Sequence, residues 1–299
     1  MYYIEKTDKL GFWQEKLKTI KLQQNKILLP IKNEISEKNQ IKLAEKVNKL
    51  LQKTNSNKLV LSKEVHNLEV FQNKLYSYNY NIVDGKKLFE ALACIILEYI
   101  CENKKVLKEE TKLSILVNDL SDYTLQNIKI LSTEYKALNI VTNHIEKFKK
   151  LEDIIYSENG LMITVSNNKK KSLTQSNLIL NIDFPQELIN KYNINDEAII
   201  VNIKNDIKIN KKRFNGIVIN DYEIKTKEFN DSTTCNNTKI DENIEGFDDC
   251  QLCKNNKYYT KELYEAQIYE GIPHFDLMKK IKDDNVQIDA LFGLNGKVF

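Results

Sequence analysis

The chain has 299 residues, enough for one large domain or two smaller ones with a substantial core. Hydrophobic residues make up 41% and charged residues 29%, as is usual for a globular protein in water. The 45 basic and 42 acidic residues leave a formal net charge of only +3, so charge gives no strong signal for nucleic-acid binding.

The start of the chain and its cysteines indicate a location. The first ten residues, MYYIEKTDKL, lack the basic and apolar regions of a signal peptide. The longest apolar stretch, LFEALACIILEYI, is interrupted by Glu90 and Glu98 and is too short to span a bilayer. Five cysteines do not make the framework of a secreted disulfide-rich protein. We therefore expect a soluble cytoplasmic protein without a membrane partner.

Residues 1–55 are predicted to form an N-terminal helical segment. Trp13, Leu17 and Ile20 recur at helical spacing, and Pro30 would close or kink that first helix. A second helix is predicted over residues 35–51, which carry a broad apolar face. The segment is either a helical hairpin packed on the next domain or a helix pair that binds a partner.

Residues 56–110 are predicted to form a small α/β lobe. KLVLS and YNIVDG have the composition of strands, and each is followed by a segment with helical periodicity. The second of these helices, predicted over residues 86–102, is apolar on several sides, which indicates burial. Its Cys94 and Cys101 are interpreted as small buried thiols.

Residues 111–222 contain the most regular pattern of apolar runs in the chain. Apolar runs that end in polar residues recur there: KLSILVND, ALNIVTN, LMITVSN, NLILNID, AIIVNI and GIVIND. Such continuous runs are typical of parallel strands covered on both faces, and amphipathic helices separate at least the first three. We predict an α/β fold with a doubly wound, mostly parallel, Rossmann-like sheet. Ser121 or Asp122 is predicted to cap the first helix, and Gly160 to end the second in a conformation with positive φ.

Two segments follow this domain in the sequence. Residues 223–257 are polar, with few apolar anchors, and are predicted to be a long loop or a partly disordered insert. Residues 258–299 are predicted to form a C-terminal helical segment that ends in a short strand over residues 286–292.

The order of elements from residue 112 to 222 resembles the NAD(P)-binding Rossmann domains of the shikimate dehydrogenase and glutamyl-tRNA reductase type. In those families a polar residue at the end of the second strand meets the cofactor ribose or its phosphate, and here that strand ends VTNHIEKF. Their fourth strand is a run of the DIVIN kind near a proline, and here SNLILNIDFP stands in that place. The whole chain also resembles proteins of low-GC spore-forming anaerobes, a resemblance that implies no function.

The sequence departs from those families at the phosphate-binding loop. A dinucleotide site needs G-x-G-x-x-G after the first strand, so that the backbone can approach the pyrophosphate at a helix N-terminus. Here the loop is VNDLSD over residues 117–122, without glycine, and Asp119 and Asp122 would repel an anion. The sequence thus argues against NAD(P) bound in the glycine-loop mode, and the cofactor is unknown.

Polar side chains follow the predicted strands at the edge where ligands of open α/β sheets bind. They are candidate ligand-binding residues for a small polar molecule or anion: Asn118, Asp119, Asn143, His144, Asn167, Lys169 and Asp183. Asn and Asp are also favoured in any strand-to-helix turn, where they cap helices and tolerate unusual φ angles. His144 is either a general acid or base, a phosphate partner, or a solvated residue at a helix start.

Cys250 and Cys253 form a C-x-x-C pair inside the polar insert, with Cys235 upstream. They are candidate metal ligands, although a zinc knuckle needs four ligands and one pair supplies half of them. A redox pair is a second interpretation, and free thiols are a third.

Three hypotheses follow for function. The first is a degenerate Rossmann-like domain with a non-redox role in binding, regulation or assembly, whose partner is another protein, a second copy of the chain or a small polar ligand. The second is an enzyme of dehydrogenase-like descent that uses NAD(P), a nucleotide or a metabolite. The third is a zinc or redox module at the C-x-x-C pair.

Overall fold

The structure, a computed structural model, describes residues 1–7, 19–23, 25–31, 35–54, 56–226, 260–268 and 274–299. The chain divides into two compact units, Met1–Gly85 with Lys261–Glu270, and Lys86–Thr260 with Gly271–Phe299. Within the described ranges no helix has both the length and the apolar character needed to cross a membrane. Cys250 and Cys253 lie outside the described residues.

The elements are numbered in chain order. The strands are β1 Tyr2–Lys6, β2 Lys21–Gln23, β3 Lys26–Leu29, β4 Lys58–Leu61, β5 Asn81–Val83, β6 Lys112–Leu116, β7 Ala137–Val141, β8 Thr164–Ser166, β9 Leu178–Asn181, β10 Ile199–Asn202, β11 Ile217–Ile219, β12 Asp221–Lys225, β13 Gln287–Gly293 and β14 Gly296–Lys297. The helices are α1 Glu37–Leu51, α2 Lys63–His66, α3 Glu69–Ser77, α4 Lys86–Ala91, α5 Ala93–Lys104, α6 Asp122–Glu134, α7 Ile145–Asn159, α8 Gln186–Ile189, α9 Lys261–Ile268 and α10 His274–Asp283. A 3-10 turn, Lys108–Glu110, precedes β6.

The first unit is built on a five-stranded sheet in the order β2-β3-β1-β4-β5. All its strand pairs are parallel except β2 with β3. Its core packs helix α1 against the sheet through buried side chains that include Leu43, Val47, Ile4 and Leu59. The predicted strands KLVLS and YNIVDG are confirmed as β4 and β5, and they pair in this sheet and not in the six-stranded one.

Trp13 and Leu17, on which the predicted first helix depends, lie outside the described residues. The described residues before Pro30 do not form a helix, and there the prediction is wrong. Tyr2–Lys6, Lys21–Gln23 and Lys26–Leu29 are strands. A short apolar run has no reliable periodicity of its own, and β1 is fixed by long-range pairing with β3 and β4. The predicted second helix is confirmed as α1.

The second unit is built on a six-stranded sheet in the order β8-β7-β6-β9-β10-β11, in which every pair is parallel. The six predicted strands are all present. Numbered within this unit alone, the order is that of dinucleotide-binding Rossmann sheets, and it reverses between β6 and β9. This topological switch point is where ligands of such sheets bind.

Two helix boundaries predicted from the sequence are confirmed. The Ser121 side chain accepts a hydrogen bond from the Thr124 backbone N–H at 3.0 Å and caps α6. Gly160 has φ +64° and ends α7 in the left-handed conformation.

A three-stranded antiparallel sheet, β12-β13-β14, completes the second unit. The predicted strand over residues 286–292 is confirmed as β13. Strand β12 extends to Lys225, into the segment predicted as a loop or disordered insert, and there the prediction is wrong. Buried Tyr222 and Ile224 alternate with exposed neighbours in β12, and that two-residue period was visible in the sequence.

Candidate functional site

The carboxyl ends of β6 and β9 meet at the switch point, and the side chain of Asp183 bridges them. Its carboxylate accepts hydrogen bonds from the Asn118 backbone N–H at 2.8 and 3.1 Å and from the Asp119 backbone N–H at 2.8 Å. In Rossmann domains the N–H groups of this loop face the cofactor pyrophosphate. Here a carboxylate of the chain itself is the anion that they bind.

The pKa of the Asp183 carboxyl is raised above its ordinary value. The largest cause is burial, which disfavours the charged form. The backbone N–H groups of Asp119 and Asn118 and the charge of Lys204 oppose this rise, while the nearby Asp119 carboxylate adds to it. The site thus holds two carboxylates, that of Asp183, which is half-buried, and that of Asp119, which is exposed.

A second carboxylate of the chain lies at the N-terminus of α6. Glu90, in α4, is 6% exposed and accepts hydrogen bonds from the hydroxyls of Ser121 and Thr124, the latter at 2.6 Å. The Asn127 side chain donates to the Glu90 backbone carbonyl at 2.6 Å. An acidic side chain at this end of a helix is favoured by the helix dipole. The loop and the helix start that would hold a phosphate are therefore both satisfied by carboxylates of the chain.

The role of Glu90 has no motif in the sequence. Glu90 interrupts the apolar stretch LFEALAC, which by itself argues only against a membrane span. A carboxylate in the middle of an otherwise buried helix needs hydrogen-bond donors, because an unpaired buried charge is costly. A sequence with Glu90 in this position therefore predicts nearby hydrogen-bond donors. It does not identify Ser121 and Thr124 as those donors.

Three buried asparagines form a ladder across the ends of β9, β10 and β11. The Asn181 side-chain amide donates to Asn202 Oδ1 at 3.0 Å, and the Asn202 amide donates to Asn220 Oδ1 at 2.8 Å. All three side chains are at most 3% exposed. The outer asparagines also bond to the backbone, Asn181 to Phe184 and Asn220 to Ile207. These amides are part of the core and are not open to a ligand.

The predicted residues after β7 join the same edge. The Asn143 backbone N–H donates to Asn118 Oδ1 at 3.0 Å, so Asn118 links Asp183 on one side to Asn143 on the other. His144 lies at the N-cap of α7 without a side-chain capping bond, and its backbone N–H donates to Thr142 Oγ1 at 3.0 Å. The side chains of Asp119, Asn143 and His144 are exposed.

Asn167 and Lys169 lie further out, after the edge strand β8. Both are exposed, and in the described part of the chain no hydrogen bond or ion pair joins their side chains to the switch point. The turn itself is made by Asn168, whose Oδ1 accepts from the backbone N–H groups of Lys170 and Lys171. The structure therefore brings Asn118, Asp119, Asn143 and Asp183 together and leaves Asn167 and Lys169 apart from them.

Among the residues that the structure describes, no group of three or more His, Cys, Asp or Glu side chains is arranged to hold a metal ion. The hypothesis of a zinc or redox site at Cys250 and Cys253 stays a prediction, since both lie outside those residues.

Together, the parallel six-stranded sheet, its flanking helices and its strand order define a Rossmann-like α/β protein. No protein-family model matches the chain. No curated protein sequence matches it either.

Among solved structures, the chain is similar to an L-tryptophan dehydrogenase from Nostoc punctiforme at 7% identity and a TM-score of 0.30, over 59% of this chain and 50% of the other. It is also similar to a formate dehydrogenase from Granulicella at 13% identity and 0.27, over 53% and 47% of the two chains. A mitochondrial ornithine carbamoyltransferase from Coccidioides immitis aligns at 8% identity and 0.30, over 73% and 76%. The alignments span about half the length of the two dehydrogenases. Similarity at this level reflects the fold and indicates no activity.

Proposed function

We propose that this chain is a non-redox binding protein with a regulatory or assembly role, built on a degenerate Rossmann-like domain. The observation that supports the proposal best is the Asp183 carboxylate on the amides of Asn118 and Asp119. A pyrophosphate at this loop would have to displace that carboxylate and approach the exposed carboxylate of Asp119. Both steps oppose the binding of a dinucleotide in the usual mode.

The binding surface that we propose is the outer layer of the same edge. The inner layer, formed by Asn118, Asp183 and the asparagine ladder, is hydrogen-bonded within the chain. The outer side chains of Asp119, Asn143 and His144 are exposed, and no hydrogen bond in the described chain engages them. A polar small molecule, a protein partner or a second copy of the chain would contact these groups without disturbing the core. The expected cytoplasmic location belongs to the same proposal.

The proposal is tested by a thermal-shift screen of purified protein against NAD, NADP, ATP, S-adenosylmethionine and sugar phosphates, with sedimentation to detect self-association. The screen includes a triple variant, Asp119→Ala with Asn143→Ala and His144→Ala, and a control, Asp153→Ala, on the exposed face of α7. We expect both variants to keep the thermal stability of the wild type, because exposed substitutions cost little. Only the triple variant should lose an observed ligand response or self-association.

One result favours the enzyme hypothesis instead. A native-state ligand raises thermal stability in proportion to the logarithm of its concentration over Kd. Stabilisation of the wild type by NAD or NADP that the triple variant lacks would mean that a dinucleotide binds at this edge. The non-redox proposal would then be wrong.

A further inference from the structure

A cleft of about 570 Å³ opens in the second unit at the amino-terminal ends of the strands of the six-stranded sheet. The candidate site lies at the opposite, carboxyl ends of these strands. One wall of the cleft is formed by residues at the amino-terminal starts of four strands, Thr111 before β6, Leu178 in β9, Ile199 in β10 and Ile217 in β11. The last turns of α5 and the segment after it form the opposite wall. Its volume is within the range of pockets that bind small molecules.

The lining of the cleft is largely apolar. Ile100 and Leu178 are buried in it, whereas Ile199 and Ile217 are half-buried and Val106 is 48% exposed. A ligand that covers apolar surface exposed to water lowers the free energy of the system. The cleft therefore favours a ligand with an apolar chain or ring.

The charged groups of the cleft are unbalanced. Glu110 and Glu197 line it and are exposed, and neither forms an ion pair in the described part of the chain. Lys104 is the cationic side chain of the lining, and its ammonium lies 5.4 Å from the centre of the Phe299 ring. By contrast Glu109, next in the chain to Glu110 and outside the cleft, pairs with Lys136 at 2.7 Å. The lining thus carries two carboxylates against one ammonium, and Lys136, which interacts electrostatically with Glu110, lies outside the lining.

From this arrangement we infer that the cleft binds a small organic amine. The protonated amino group lies against Glu110 and Glu197, and the apolar body covers Ile199, Ile217 and Val106. This site is separate from the edge in the proposed function, and nothing in that proposal depends on it. Apolar lining with a few convergent charged groups is the usual composition of a small-molecule site.

Fluorescence titration of the full chain with dansylcadaverine tests the inference, because this probe joins a primary amine to an apolar fluorophore. A dansyl amide with an uncharged butyl chain is the neutral control probe. We expect dansylcadaverine to bind with a blue-shifted emission and at least about threefold more tightly than the neutral probe, as for partly exposed charge pairs. Its affinity should fall with added salt.

The double variant Glu110→Gln with Glu197→Gln should reduce the affinity for dansylcadaverine by about three- to tenfold and leave that for the neutral probe unchanged. Glu109→Gln is the matched control, because it removes the same charge one residue away and outside the cleft. All substituted positions are exposed, so circular dichroism should show an intact fold. The inference is overturned if dansylcadaverine does not bind, if both probes bind equally, or if the double variant behaves like Glu109→Gln.

Discussion

Replacing Asn202 by alanine would break the asparagine ladder at its centre. The change removes the bond that Asn202 Oδ1 accepts from Asn181 at 3.0 Å and the one that its amide donates to Asn220 at 2.8 Å. A buried hydrogen bond contributes about 0.5–1.5 kcal/mol net, and the lost side chain leaves a small cavity. Asn181 and Asn220 keep their backbone partners, which limits the penalty for unpaired groups. We expect the free energy of unfolding to fall by about 2–4 kcal/mol.

Urea denaturation followed by circular dichroism measures this loss, and a thermal scan should show a fall in Tm of about 5–15 °C. Asn143→Ala is the control, because it removes the same amide from an exposed position where its side chain makes no hydrogen bond in the described chain. The control should lie within about 0.5 kcal/mol of the wild type. If Asn202→Ala were no less stable than Asn143→Ala, the ladder would not hold the strand ends together.

Three further predictions concern single groups. Burial raises the pKa of Asp183 above its ordinary value, so the native state binds that proton more tightly than the unfolded state does. Stability from this group is then greatest below the unfolded pKa of about 3.9 and declines as pH rises towards the folded pKa. The free energy of unfolding of the wild type minus that of Asp183→Asn should therefore fall with rising pH in that window, and a rise would contradict the pKa direction. Gly160→Ala should cost about 1 kcal/mol in chemical denaturation, because φ is +64° while no atom lies within 4 Å of the added Cβ; an unchanged midpoint would refute this. Of the two thiols predicted as buried, Cys101 is buried and Cys94 is half-buried. Desolvation nevertheless raises the pKa of the Cys94 thiol to about 12, so its alkylation by iodoacetamide at neutral pH, followed by peptide mass spectrometry, should be at least about a hundredfold slower in the native than in the unfolded chain; equal rates would refute the raised pKa.

The sequence predicts the six strands of the parallel sheet in the second unit well, because each is a continuous apolar run bounded by polar residues. The two predicted helix ends, Ser121 at the start of α6 and Gly160 at the end of α7, also depend on local sequence and are confirmed. The first unit is different, since Tyr2–Lys6 becomes a strand only by pairing with β3 and β4, more than fifteen residues away in sequence. Pairing at that distance leaves no local periodicity to detect.

The candidate site was predicted as a set of residues and not as a network. Asp183 follows the end of β9, but its bond to the Asn118 and Asp119 amides depends on β9 lying beside β6. Strand order is a long-range property that a single sequence does not carry. For the same reason the burial of Asn202 between Asn181 and Asn220 could not be distinguished from an open polar edge.

Isothermal titration with pyrophosphate tests the central claim, that the Asp183 carboxylate takes the position of a phosphate. The comparison is between Asp119→Asn and the double variant Asp119→Asn with Asp183→Ala, so that repulsion by Asp119 is absent from both. Removal of the Asp183 carboxylate leaves the amides of Asn118 and Asp119 available to an anion. We predict no measurable binding to the wild type and at least about tenfold tighter binding to the double variant than to Asp119→Asn. Pyrophosphate that bound the wild type, and bound the double variant no more tightly than the single one, would contradict the claim.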